Sequence, residues 1–208
     1  GYPFVLWWCQ MPSKAQIAAR RNALRHGWHT GLGAPQATCH SPYACGMTSA
    51  PLPGRSAEEQ QRLDQDITEL FEHRICFNET LGLKVVSVQA GQAAVRFDMR
   101  PDLVGHYVYG RLHGGVISAV LDAMGGMALM VAIGEKHADE SAALVMHRFA
   151  RMGTIDLRVD FLRQGIGKHF VATAEVIRLG GRVGSTQMKL VNQGGTLIAT
   201  GNGAYMVS

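Results

Sequence analysis

The chain has 208 residues, 47% of them hydrophobic and 17% charged, enough to bury one core of ordinary size and too apolar for a disordered protein. Its net charge of +4 is unevenly spread: residues 1–57 contain no Asp or Glu and carry Lys14, Arg20, Arg21, Arg25 and Arg55, so this segment holds +5 and the remainder −1. The body therefore has no basic excess with which to neutralise phosphates, which removes the usual ground for a nucleic-acid partner.

Residues 1–54 read as a poorly ordered N-terminal extension. Phe4-Val-Leu-Trp-Trp8 is too short to span a membrane and lacks the basic lead of a secretory signal. Residues 14–26 fit a short basic helix, and the stretch after them is rich in Gly, Pro, Ser and Thr. Gly31-Leu-Gly33 has no strand ahead of it and is not a nucleotide loop. Cys9, Cys39 and Cys45 fall here and only Cys76 lies in the body. That is no disulfide framework, and it fits a reducing, cytoplasmic compartment. Cys39-His40 with Cys45 lacks the second ligand pair of a zinc site. The extension is expected to be dispensable: a chain beginning at Met47 should keep its circular-dichroism spectrum and its activity, and loss of folding in that chain would refute this.

Regular patterning begins at Ser56, and one domain is expected over 55–208. Ser56-Ala-Glu-Glu59 reads as a capping box, and Leu63, Ile67, Leu70 and Phe71 recur at helical spacing, predicting a helix to about residue 74. Lys84–Val88 and Ala93–Met99 read as strands around the turn Ala90-Gly-Gln92, followed by a loop through Tyr109-Gly110. Gly115–Ile133 contains a single charge, Asp122. Two adjacent glycines and a central carboxylate make a poor membrane span, so this stretch is predicted to be a helix buried in a soluble protein. Strands follow at Ile155–Phe161, with apolar residues alternating against Asp156, Arg158 and Asp160, then at Lys168–Leu179, Arg182–Asn192 and Thr196–Val207, with glycine pairs at the last two turns. Short glycine turns imply an antiparallel meander. The predicted architecture is α+β, an antiparallel sheet wrapped around one long central helix.

His113-Gly114-Gly115 opens that helix and Asp122 sits two turns inside it. Amides at a helix start suit an oxyanion, and glycine allows a ligand oxygen close to the backbone. A carboxylate on an apolar helix is costly unless it is hydrogen-bonded or used. Eight residues separate Gly114 from Asp122, roughly 12 Å along the axis at about 1.5 Å per residue, so one chain cannot bring both to one carbonyl carbon. Two antiparallel helices across a two-fold axis could. The chemistry therefore implies at least a dimer.

The run His113-Gly-Gly-Val-Ile-Ser-Ala-Val-Leu-Asp122 resembles the signature of hotdog-fold acyl-CoA thioesterases of the PaaI type. Arg151-Met-Gly-Thr-Ile-Asp-Leu-Arg-Val-Asp-Phe-Leu-Arg163, with the ending Ala204-Tyr-Met-Val207, is similar to their bacterial YigI-like branch, which acts on medium- and long-chain acyl-CoA. The resemblance covers about residues 56–208. It implies the hotdog fold and hydrolysis of acyl-CoA thioesters by a homodimer or a dimer of dimers (homotetramer). Asp122 matches the general base or nucleophile. Gly114 matches the glycine whose amide polarises the thioester carbonyl, His113 the residue that shapes this loop, and Thr154 a Ser or Thr assisting from the Asp's own subunit. Several relatives carry Asn six residues before the His; this chain has Tyr107 there, flanked by His106. With Gly115, Arg178 and Arg182, these two complete the candidate substrate contacts, the arginines for the phosphates of coenzyme A or for nothing beyond a solvated hairpin. Plainer roles stay open: His113 as a hydrogen-bonded loop residue, Thr154 as a strand start, and Met124, Met127 and Met130 as core packing. A non-catalytic acyl-CoA sensor and a hotdog dehydratase or hydratase are the alternative functions. No cofactor or metal is expected.

Overall fold

The computed structural model describes residues 54–208; apart from Gly54, the extension read over residues 1–54, with its basic helix and three cysteines, lies outside the described residues. In chain order come α1 (Ala57–Glu69), a π-helical turn (Leu70–Arg74), α2 (Cys76–Leu81), β1 (Lys84–Ser87), β2 (Ala94–Asp98), a 3-10 turn (Pro101–Leu103), β3 (Val104–His106), β4 (Arg111–Leu112), α3 (Gly114–Lys136), α4 (Ala142–Phe149), β5 (Gly153–Phe161), β6 (His169–Leu179), β7 (Val183–Asn192) and β8 (Leu197–Met206). Six strands form one antiparallel sheet in the order β1-β2-β6-β7-β8-β5, and β3 pairs with β4 as a separate hairpin.

The central helix is where its composition places it. Along β7, Gly184, Thr186, Met188 and Leu190 are buried while their neighbours are not, the period of two that gives a strand one inner face. Against that face lie Val120, Leu121, Met124, Met127 and Leu129 of α3, all fully buried, with Phe97 stacked on Phe170 at 5.3 Å between ring centroids. By length and composition α3 could cross a membrane, yet here it is wrapped by the sheet, which replaces water on most of its surface. This is the α+β hotdog architecture.

Four local features differ from the sequence reading. First, the helix reaches Arg74 as predicted, but its last turn widens from α to π. The chain restarts as α2 after an extended Ile75, with Phe71 buried and the Glu72 carboxylate reaching β1, at 2.8 Å from Lys84 Nζ and 2.7 Å from the Val85 amide. Gly82, in the left-handed region at φ 71°, ends α2. Second, Ser56 caps α1 by accepting the Glu59 N–H at 3.2 Å, but the Glu59 carboxylate does not complete the box. It accepts the N–H of Ala142, the buried first residue of α4, at 2.9 Å, where the amide has no water to turn to. Third, α4 has no counterpart among the predicted elements. Fourth, the stretch read as a loop around Tyr109 contains the β3–β4 hairpin. Arg55, counted with the basic N-terminal segment, donates to the carbonyls of Gly134, His137 and Glu140 and so closes the C-terminal end of α3, a favourable place for a cation.

Candidate active site

The start of α3 is built by the hairpin before it. Leu103 accepts the His113 N–H at 2.9 Å, and Gly105 lies so close that a Cβ there would stand 2.6 Å from His113 Cα. His113 is the N-cap residue: its Nδ1 accepts the Gly115 N–H at 2.9 Å, which places the proton of a neutral imidazole on Nε2. Its carbonyl takes the N–H of Val116 at 3.0 Å and of Ile117 at 3.3 Å. Among the described residues, only the Gly114 amide of this first turn is left without a partner. A side chain at Gly114 would meet the Phe161 ring at no closer than 3.5 Å, an ordinary contact, so the chain itself does not demand glycine there.

Two turns along, Asp122 is half-buried. Its Oδ1 accepts the Thr154 hydroxyl at 2.8 Å, and its backbone carbonyl accepts the Tyr205 hydroxyl at 3.1 Å. Ser118, one turn earlier on the same face, donates its hydroxyl to the Gly114 carbonyl at 3.1 Å rather than to the carboxylate. Strict alternation along β5 would put Thr154 on the outer face with Asp156. A bulge between Thr154 and Asp156 resets the register, so that Thr154 lies opposite Tyr205 and Leu157 opposite Gly203. That irregularity turns Thr154 inward to Asp122. It also leaves Ile155 59% exposed, and Phe161 at the far end of β5 is 56% exposed, so the apolar side of this edge strand is only partly covered by its own chain.

The other candidates lie apart from the carboxylate within one chain. His106 and Tyr107 stand on the exposed β3–β4 hairpin ahead of the helix start. Tyr107 is 90% exposed and stacks with His106 at 6.0 Å between ring centroids, while Tyr109 meets His106 at a tilt of 40° and has Arg111 over its ring at 4.7 Å. Gly115 is exposed next to His113. Arg178 and Arg182 are exposed on either side of the β6–β7 turn, and the Arg182 carbonyl accepts the Val207 N–H at 3.0 Å. Two residues at the site escaped the sequence reading: Tyr205, noted only within the terminal run, and Thr186, buried beneath it. Gly125, one residue short of a full turn past Asp122, was the available signal for both.

The profile of the thioesterase superfamily matches residues 109–199. The medium/long-chain acyl-CoA thioesterase YigI of Salmonella typhimurium is 36% identical over 152 residues, which are 73% of this chain and 96% of that protein. The chain belongs to the thioesterase superfamily. The YigI of Escherichia coli K12 is 35% identical over the same extent. A thioesterase-superfamily protein of Shewanella oneidensis superimposes with a TM-score of 0.68 at 37% identity, covering 72% of this chain and 97% of its own. The residues matched by the superfamily profile take in the start of α3, Asp122 and Thr154.

Proposed function

We propose that this thioesterase-superfamily protein hydrolyses acyl-CoA thioesters to a free acid and coenzyme A. The observation that carries the reading is the division of α3 into an open amide at Gly114 and a carboxylate at Asp122 held by Thr154. An amide donor and a positioned carboxylate are what thioester hydrolysis needs. Asp122 takes a proton from water as the oxygen attacks the thioester carbon and later returns it to the departing sulfur, or it attacks that carbon itself, expelling the thiolate and forming an acyl-aspartyl anhydride that water then hydrolyses to the free acid, the water's proton going to the thiolate; in either course the Gly114 N–H receives the developing oxyanion. The roughly 12 Å between the two groups along one helix supports a site to which two chains contribute. A homodimer, alone or paired into a tetramer, supplies both. The exposed edge of β5 and the small residues Gly115, Ala119, Ala123 and Gly126 beside Asp122 offer the surface for the second copy. His113 fixes the cap, His106 and Tyr107 reach toward the substrate from the hairpin, and Arg178 and Arg182 face the phosphates of coenzyme A. The names of the YigI relatives favour medium- and long-chain acyl groups, and coenzyme A as the product fits a cytoplasmic enzyme.

The test is thiol release across acyl-CoA chain lengths, with free acid formed one for one and turnover highest on medium to long chains. Tight acyl-CoA binding without thiol release would instead establish a sensor. A dehydratase needs a histidine converging on the carboxylate, and within the chain Asp122 is met by Thr154. Thr154→Val removes that donor at nearly constant shape. A hydrogen bond to a charged group is worth about 1.5–3 kcal/mol, so kcat should fall roughly tenfold or more, with Thr154→Ser restoring most of it in steady-state kinetics.

A further inference from the structure

We propose that Tyr205 is a positioning residue that sets the rotation of the central helix and thereby aims the Asp122 carboxylate; the inference deepens the thioesterase reading and rests on it for its kinetic consequence. A helix apolar on nearly all sides is poorly oriented by burial alone, because turning it exchanges one greasy face for another. The end of a side chain lies about 5–6 Å from a helix axis, so a rotation of roughly 10° carries it about 1 Å. A misplacement of that size at a reacting group can cost on the order of a hundredfold in rate. Some directional contact has to fix α3 at Asp122.

The Tyr205 hydroxyl makes that contact. It donates to the Asp122 main-chain carbonyl at 3.1 Å, taking the lone pair that the helix leaves over. Its strand partner across the β5–β8 ladder is Thr154, which holds the carboxylate of the same residue at 2.8 Å. One rung of the sheet therefore grips Asp122 by both main chain and side chain. The surroundings are shaped to admit the phenol. A Cβ at Gly125 would collide with the hydroxyl and stand 2.8 Å from Thr186 Oγ1, and a Cβ at Gly203 would stand 2.7 Å from the ring. Tyr205 is 2% exposed, and Thr186 beneath it turns its own hydroxyl to Met188 Sδ at 3.1 Å. Burial first, and the charge of Asp122 second, push the Tyr205 hydroxyl well above its ordinary pKa, so it remains a protonated donor throughout the working range.

The test uses the full chain with Tyr205→Phe, which keeps the ring and removes the donor, and Gly125→Ala, which crowds the hydroxyl off the carbonyl. Each is followed in two ways: by thiol release from acyl-CoA, and by the carboxyl carbon NMR signal of Asp122, at one fixed pH, in protein labelled at aspartate. In Tyr205→Phe, kcat should fall about tenfold with KM within twofold. The Asp122 carboxyl signal should shift in both variants, because turning the helix disturbs the hydrogen bond that Thr154 makes to that oxygen. Combining the two substitutions should cost less than the product of their separate effects, since both act on one contact. An unmoved Asp122 signal in both variants overturns the proposal, as does a Tyr205→Phe kcat within twofold of wild type. A shifted signal in a protein whose wild type releases no thiol sustains the positioning role and fails the thioesterase reading instead. A purely structural tyrosine would lower the melting temperature and leave the signal where it was.

Discussion

Asp122→Asn should lower kcat by about 10²–10⁴ and leave KM nearly unchanged, as expected for the loss of a general base, and a covalent nucleophile would cost at least as much. Asparagine keeps the size of the side chain and can still accept from the Thr154 hydroxyl, which now bonds Oδ1 at 2.8 Å, so the local structure has no reason to collapse. What disappears is the oxygen able to take a proton from water or to attack the carbonyl. In the proposed mechanism binding rests elsewhere, on the helix start and on the apolar surfaces around it, so the ground-state complex is expected to persist. Thiol-release kinetics at saturating and limiting acyl-CoA separate the two constants. A kcat within about threefold of wild type would remove the mechanism, because a general base is worth at least roughly a hundredfold, and would favour an acyl-CoA sensor.

How far such a site can be read from the chain depends on which forces place its parts. The helix and its carboxylate were legible, because a lone charge in an otherwise apolar stretch has few structural explanations. The helix start was legible too, since His-Gly-Gly ahead of a buried run is a recognisable cap with an accessible backbone. Thr154 was harder. Its inward direction depends on the bulge against β8, and strict alternation along Ile155, Leu157, Val159 and Phe161 assigns Thr154 to the opposite face. Tyr205 could not be singled out at all: a tyrosine in a terminal strand looks like core packing until the carbonyl it meets is known. Glu59 shows the same limit from another side. Its spacing to Ser56 satisfies the capping-box pattern, yet the stronger demand came from a buried amide 83 residues away. The helix α4 carried a signal that went unread, with Ser141 as its cap and Ala142, Val145 and Phe149 buried on one face. Local pattern identifies elements and unusual charges, whereas long-range partners are settled by desolvation in the folded state.

The proposal that two chains share the site predicts complementation. Gly114→Pro is the clean partner to Asp122→Asn. Position 114 is the first residue of α3, where proline is tolerated, and His113 before it already has the extended backbone (ψ 138°) that a following proline requires. The substitution removes the one amide of the first turn that the chain does not use, and a Cβ there meets only the edge of Phe161 at 3.5 Å. Alone, it should cost about 10²–10³ in kcat, the loss seen when a single oxyanion donor is deleted. Mixed with Asp122→Asn chains and allowed to exchange, it should regain activity. A heterodimer then holds one site with an intact Asp122 facing an intact Gly114, and one site with neither. With random pairing of equal amounts, half of the dimers are mixed and each carries one working site of two, so about a quarter of wild-type activity should return under two-fold symmetry. Each parent alone stays near zero. If native mass spectrometry shows that heterodimers form and the mixture remains as inactive as its parents, Gly114 and Asp122 do not meet across an interface. A site shared between two chains predicts recovery and a site within one chain predicts none, so the mixture decides between them without any knowledge of the natural acyl chain.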